Sequence, residues 1–369
     1  MRRRLAVMLM FALARPALAG GFVVGADLSS LAQERAAGAV YRDSGAVVDP
    51  LRLALDAGWG MVRLRLWNAP AEPWNGLDST LAAAHRVRAA GLAWMLDLHY
   101  SDTWADPGHQ PMPAAWRSLA FPALRDSVYA FTRAVMHACV IEGVPPAAVQ
   151  VGNEIEGGLL WDAGRVGWPG SAWDTSVQWS RLTALLAAAS RGVHDAFPPG
   201  RAPEVLVHLS TSGNAAHTRW FLDHLSAARV PFDAVGFSYY PWWHGSLAGA
   251  EANLRDVASR YGKRVWIVET SYPWTLASAD RVGNFVTSEA QLLPGYPASP
   301  EGQLAFLEDV VALERRLPGG LGAGVLVWEP ELLAVPGGPS DPSENLTLFD
   351  FSGRALPGLR FGAPRVAPR

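Results

Sequence analysis

Residues 61–99 carry the pattern on which the fold turns. They run Met61-Val62-Arg63-Leu64-Arg65-Leu66-Trp67, then an amphipathic stretch over 77–90, then Gly91, then Ala93-Trp94-Met95-Leu96-Asp97-Leu98-His99. The two outer runs send alternate side chains to opposite faces, as a strand does. The middle run spaces its apolar residues by three and four, as a helix does. A strand, a helix and a second strand joined in this way imply parallel pairing. The unit recurs along the chain, with further strands expected at 22–27, 149–153, 204–209, 234–239, 264–269 and 324–328. Helices are expected at 50–57, 124–142, 177–196, 215–228, 247–261 and 301–317, and Gly58, Gly91, Gly143 and Gly262 stand where helices stop. Eight such units predict an α/β fold, a (β/α)8 TIM barrel forming a single domain over 20–369. The long segments 100–119 and 154–177 follow strands, which puts them on the catalytic face. A doubly wound sheet would call for a Gly-rich phosphate turn after an early strand, and none is present.

Half of the 369 residues are hydrophobic and 18% are charged, below the ~25% charged content of an average soluble protein. That composition excludes disorder as the main state. A formal net charge of −3 argues against nucleic acid as a partner, because phosphate binding leaves a basic footprint. Cys139 is alone, which excludes an internal disulfide or a multi-Cys metal site. Its apolar helical surroundings mark it as a buried, inert thiol.

Residues 1–19 read as an export signal. Arg2, Arg3 and Arg4 precede an apolar run from Leu5 to Ala14, and Ala17-Leu18-Ala19 has the small-x-small form of a cleavage site. The run is too short to span a bilayer of about 30 Å. The expected protein is secreted, extracellular or periplasmic, with no membrane or nucleic-acid partner and a monomer as the default.

Chemistry gathers at the ends of the strands. Alternation points Arg63 and Arg65 into the barrel, where an unpaired charge is costly, and Asp97 is available to pair with an arginine. Strand four ends Gly152-Asn153-Glu154 and strand seven ends Val268-Glu269. Two carboxylates at a barrel rim are what glycosidic cleavage needs, one to protonate the leaving oxygen and one to attack or stabilise the oxocarbenium-like centre.

These residues resemble glycoside hydrolase family 53, the arabinogalactan endo-β-1,4-galactanases, in the clan of retaining barrel glycosidases. The resemblance covers nearly all of 20–369. It is carried by Gly25-Ala26-Asp27-Leu28-Ser29, by Val62 to Asn68, by the run from Asp97 to Gly108, and by Gln150 to Ile155. It continues through Ser238-Tyr239-Tyr240-Pro241 with Trp243-His244-Gly245, Val268-Glu269-Thr270, Trp328-Glu329-Pro330 and Leu348-Phe349-Asp350. The resemblance implies Glu154 as acid/base and Glu269 as nucleophile in a double displacement with retained configuration, the carboxyls about 5–5.5 Å apart. It implies Asn153 at the sugar 2-hydroxyl, Tyr239 and Arg65 holding the nucleophile, and Trp328 as the floor under the cleaved sugar. His99 and His244 become donors to sugar or to the catalytic carboxylates. Ala69, Glu156, Gly157 and the adjacent Trp242 and Trp243 depart from the common family pattern near the groove.

Sixteen Trp suit either a Trp-rich core or flat sugar-binding surfaces. Trp328, Trp104, Trp161, Trp243 and His244, with Asp102 of the groove loop, are the candidate substrate contacts on β-1,4-galactan. For Trp116, Trp242 and Trp274 loop packing remains equally open, and Trp59, Trp94, Trp220 and Trp266 are assigned to the core. The cluster Asp97, His99, Asp102, Asp106 and His109 matches no zinc motif, so no metal or other cofactor is expected. Asp341, Ser343 and Glu344 lie where some bacterial relatives carry a calcium ion, but a solvated loop contains the same residues. Asn345-Leu346-Thr347 is a glycosylation sequon. The competing functions are an endoglycanase of the same clan on β-mannan or β-glucan, a non-catalytic sugar-binding barrel, and a metal-dependent hydrolase. Mass spectrometry of the secreted protein should show an N-terminus at Gly20; a retained Met1 would contradict the export reading.

Overall fold

The computed structural model describes residues 21–336, 338 and 342–363. The expected export segment lies outside them. Eight parallel strands close into a barrel: β1 (Val23–Asp27), β2 (Met61–Leu66), β3 (Ala93–Leu98), β4 (Ala148–Val151), β5 (Glu204–Leu209), β6 (Ala234–Tyr239), β7 (Arg264–Thr270) and β8 (Gly322–Val327). Each strand pairs with the next in chain order, and β8 pairs back onto β1. The surrounding helices are α1 (Leu31–Ala36), α2 (Pro50–Asp56), α3 (Leu77–Ala89), α4 (Phe121–Ile141), α5 (Ser176–His194), α6 (Ala215–Ala227), the single turn α7 (Pro241–His244), α8 (Leu247–Tyr261) and α9 (Pro300–Arg315). The expected single-domain (β/α)8 barrel is therefore what forms.

Local chemistry explains the boundaries. Asp49, Thr175, Asn214, Ser246 and Ser299 each cap a helix by accepting a backbone N–H from its first turn. Pro122 and Pro300 sit in the first turns of α4 and α9, where a missing N–H costs nothing, so α4 starts three residues earlier than the apolar spacing suggests. Among the described residues no full helix follows the last strand. A 3-10 turn, Pro357–Arg360, fills that place, and Trp59 donates its indole N–H to the Leu359 carbonyl at 3.0 Å to fix it.

The barrel interior is layered. Its lower part is apolar, built from Met61, Met95, Ala148, Leu206, Ala234, Trp266 and Leu326. Above it lies a wholly polar layer of Asp27, Arg63, Asp97, Gln150, His208 and Ser238, all buried. A larger apolar shell joins the outer strand faces to the helices, and it holds the buried Cys139, whose thiol burial pushes up to about 12. No helix among the described residues is long and apolar enough to cross a membrane.

Two backbone features aim the rim. Between β6 and β7 the register slips, so Phe237 faces Ile267 but Ser238 faces Glu269. Val268 is the extra residue of this bulge, and both Val268 and Glu269 turn inward. Gly25 of β1 meets β2 so closely that a Cβ there would lie 1.9 Å from the Met61 carbonyl oxygen. Gly25→Ala should therefore lower stability by about 2 kcal/mol or more, read as a fall in the thermal unfolding midpoint.

Candidate active site

The site is assembled from the C-terminal ends of the strands around one guanidinium. Arg63 of β2 bonds Asp27 at 2.8 Å, Asp97 at 2.9 Å and Glu269 at 3.0 Å. It also donates to Asn153 Oδ1 at 2.9 Å and to Gln150 Oε1 at 3.2 Å. Five partners from β1, β3, β4, β7 and the loop after β4 thus converge on a single cation. Burial alone would raise the Asp97 carboxyl, but the Arg63 charge and then His99 outweigh it and hold it down at about 2.

Glu269 accepts from the Tyr240 hydroxyl at 3.1 Å through its second oxygen. Glu154 stands opposite, half-buried, at the turn where Gly152 has φ 94° and Glu154 itself φ 49°. A left-handed conformation in a non-glycine residue costs about 1–3 kcal/mol, and here it lifts the carboxyl out of the strand and over the barrel mouth. Glu154 Oε1 accepts from the Ser238 hydroxyl at 2.6 Å. The two carboxyls differ in surroundings. Burial raises both, but Arg63 opposes the rise at Glu269. Glu154 has no cation in contact among the described residues, and burial together with the Glu269 charge lifts it well above the usual range.

The cavity over this pair is lined by Arg63, His99, Asn153, Glu154, Tyr240 and Glu269, with aromatic walls of Trp104, Trp242, Trp243, Phe285 and Trp328. Trp104 is 40% exposed and Trp243 58%, so both present open ring surface to the groove. Trp104 lies 6.2 Å from Trp328 between ring centres. Asn153 spends one amide hydrogen on the Ala105 carbonyl at 2.8 Å.

Six expected residues make contacts other than those expected, although Arg65 and His99 still line the cavity. Tyr239 does not reach Glu269: it faces out of the barrel, donates to the Gly245 carbonyl at 2.9 Å and stacks on Phe306. Parity decides this, since Ser238 and Tyr240 share the inward face with Glu269. Arg65 is one pleat above Arg63, so it meets the end of β8 instead, bonding Glu329 at 2.8 Å with Trp104 stacked 3.8 Å over it. His99 lines the cavity, yet both ring nitrogens are engaged, one donating to Asp97 at 2.9 Å and the other accepting from the Ala105 N–H at 3.2 Å. His244 accepts the Tyr240 N–H at 2.9 Å and locks α7; burial lowers it to about 4. Asp102 ties two loops through the N–H groups of Ala69 and Ala114. Trp161 donates to the Gly157 carbonyl and is covered by Arg165 at 4.2 Å, away from the cavity.

Other expectations resolve simply. Trp242 lines the cavity, whereas Trp116 packs on Phe131 and Trp274 on Phe351. Trp59, Trp94 and Trp266 are buried core residues and Trp220 packs on Trp179. Glu156 is buried and accepts from the Ser210 N–H at 3.1 Å and from its hydroxyl. The Asn345 side chain is wholly buried, donating to the Thr275 and Val286 carbonyls, so the sequon has no room for a glycan. Asp341 lies outside the described residues. One Glu344 oxygen is taken by the Ser278 hydroxyl and the Ala279 N–H. Among the described residues no group of three or more His, Cys, Asp or Glu side chains is arranged to hold a metal ion.

Sequence reasoning missed Tyr240, Ser238, His208 and Phe285 as site groups. Alternation carried a signal for three of them: Leu206 and His208 share one face of β5, and Gly236, Ser238 and Tyr240 share one face of β6.

A parallel barrel with two facing carboxyls beneath an aromatic groove is the architecture of a glycoside hydrolase. The chain belongs to glycosyl hydrolase family 53, whose sequence profile matches residues 23–361. It is 41% identical over 344 residues to a Niallia circulans protein named "Uncharacterized protein in bgaB 5'region", covering 91% of this chain and 92% of that one. It is 35% identical over 354 residues to the arabinogalactan endo-beta-1,4-galactanase of Cellvibrio japonicus, covering 92% and 90%. Among solved structures it resembles the Ignisphaera aggregans GH53 catalytic domain, with TM-score 0.84 and 32% identity over 94% of this chain and 97% of that one. The contacts separate two neighbouring tyrosines: Tyr240→Phe should lower kcat by roughly tenfold or more, while Tyr239→Phe should keep kcat within about twofold and lower only thermal stability, by about 1 kcal/mol.

Proposed function

We propose that this family 53 enzyme is an exported endo-β-1,4-galactanase that retains anomeric configuration, with Glu269 as nucleophile and Glu154 as acid/base. The observation that carries the reading is the contrast between the carboxyls. Glu269 touches a guanidinium and a phenol, which favour its anion. Among the described residues the Glu154 carboxyl hydrogen-bonds a neutral hydroxyl and no cation, and burial with the Glu269 charge favours its acid form. A proton shared by the pair therefore rests on Glu154.

In the first step Glu269 bonds the anomeric carbon while Glu154 gives its proton to the leaving oxygen, which takes the electron pair of the broken bond. Esterified Glu269 no longer carries charge, so the main electrostatic reason for the high Glu154 pKa disappears. Glu154 then takes a proton from water, the water oxygen bonds the anomeric carbon, and Glu269 leaves as a carboxylate. Asn153 supports the reading with one amide hydrogen left for the sugar 2-hydroxyl. Trp328 and Trp104 offer apolar ring faces to the C–H patch of galactose.

The substrate follows from the relatives' names and from the aromatic groove, which suits a neutral polysaccharide chain. Export rests on residues 1–19, and action as a monomer suits an enzyme that must reach a polymer. Reducing-sugar release from β-1,4-galactan, β-mannan and carboxymethylcellulose tests the whole. Activity on galactan alone is expected, abolished in Glu269→Ala and lowered by roughly 10²–10⁴-fold in Glu154→Gln. Activity should also fall as pH rises past the raised pKa of Glu154, since the acid then loses its proton. Turnover of mannan or cellulose instead would overturn the substrate, and a fully active Glu154→Gln would overturn the mechanism.

A further inference from the structure

Beneath Glu154 lie two wholly buried groups that double displacement does not use, His208 of β5 and Ser238 of β6. Ser238 Oγ is 2.6 Å from Glu154 Oε1 and 2.9 Å from His208 Nε2. A hydroxyl has one hydrogen, so it serves one of these neighbours, and the histidine tautomer decides which.

The surroundings of His208 Nδ1 settle the tautomer. The backbone N–H of Glu154 points at it from 3.3 Å, and the Gln150 amide nitrogen stands at 3.0 Å. Asn153 Oδ1 is also near, at 2.9 Å. Arg63 already donates to that oxygen at 2.9 Å, and Gln150, whose first amide hydrogen goes to Asp97 at 2.6 Å, has one hydrogen left for that oxygen or for Nδ1. A proton on Nδ1 would meet the hydrogen of the Glu154 N–H head-on. Nδ1 therefore keeps its lone pair for the Glu154 N–H, and the ring proton sits on Nε2. Burial and then the Arg63 charge hold His208 well below its ordinary range, so it stays neutral.

We propose that His208 and Ser238 form a positioning relay that decides which oxygen of the acid/base carries the transferable proton. This rests on the reading of Glu154 as acid/base. His208 Nε2–H donates to Ser238, so Ser238 turns its own hydrogen to Glu154 Oε1. Oε1 is thereby kept as an acceptor, and the acid proton resides on Oε2. In the first step that proton passes from Oε2 to the leaving oxygen as the glycosidic bond breaks. The Ser238 hydrogen bond then holds the carboxylate in place until it takes a proton from water. Neither Ser238 nor His208 gains or loses a proton in either step. The other titratable or charged groups around Glu154 are Glu269 of β7, Arg63 of β2, Tyr240 after β6 and Glu156 of its own loop. None of these hydrogen-bonds the Glu154 carboxyl among the described residues.

The test compares Ser238→Ala with wild type on galactan and on a 2,4-dinitrophenyl β-galactobioside, whose leaving group needs no proton. On galactan kcat should fall roughly tenfold to a hundredfold, with KM within about twofold. The dinitrophenolate burst, which reports the first step alone, should stay within about threefold of wild type. The basic limb of kcat/KM should move to higher pH, because the lost donor stabilised the carboxylate. Ser238→Thr, which keeps the hydroxyl, should restore both. Equal losses on the two substrates, or an unmoved limb, would overturn the relay. Nitrogen-15 shifts of His208 in the wild-type enzyme check it without any substitution: a proton on Nδ1 would overturn it. Glu154→Ala on the same substrates isolates the underlying reading. Leaving-group dependence there, but not in Ser238→Ala, rejects the relay alone; its absence in both rejects Glu154 as the acid.

Discussion

The Arg63 guanidinium is the group on which the rest of the site depends. It sits in the barrel interior with three carboxylates around it, and each would be costly to bury alone. One cation does not neutralise three anions. The excess negative charge is spread over hydrogen bonds from Gln150, His99 and Tyr240. A planar fork of five donors can reach several strands at once, which a lysine cannot do. The polar layer therefore exists as one network, and its upper edge is the catalytic carboxylate Glu269 of our proposal.

The same network separates the electrostatics of the two glutamates. Glu269 is in direct contact with Arg63, whereas Glu154 feels that charge only as a weaker, more distant influence, although both lie at the mouth of one barrel. That separation depends on two irregularities in an otherwise regular sheet. The bulge at Val268 turns Glu269 inward beside Ser238. The left-handed turn at Glu154 carries the other carboxyl clear of β4 and onto the Ser238 hydroxyl. A perfectly alternating β7 would have pointed Trp266 and Val268 into the barrel and Glu269 away from it.

Much of this was legible in the chain. Alternation on β2 and β3 placed Arg63 and Asp97 inside and allowed their pairing, and the ends of β4 and β7 marked both glutamates. Two errors were errors of position along a strand. Arg65 lies two residues beyond Arg63 on the same face, and a strand gives no sequence signal for how far along the axis a partner stands; Tyr239 lies one residue from Tyr240 and so on the opposite face. His99, His244 and Asp102 carry the right chemistry for a sugar contact. Their hydrogen-bonding capacity is consumed by Asp97 and by the backbone of Ala105, Tyr240, Ala69 and Ala114, contacts set by loop paths that no local pattern encodes.

What the sequence determined by itself is the architecture and the identity of the two rim carboxylates, because hydrophobic period and strand order are local properties that a barrel reads directly. What the tertiary structure alone decided is which groups surround each carboxylate. Arg63 and not Arg65, Tyr240 and not Tyr239, and the chain from His208 through Ser238 to Glu154 all follow from register between strands distant in sequence. Register is fixed by the closure of eight strands and by a bulge, so it emerges only when the whole barrel is assembled.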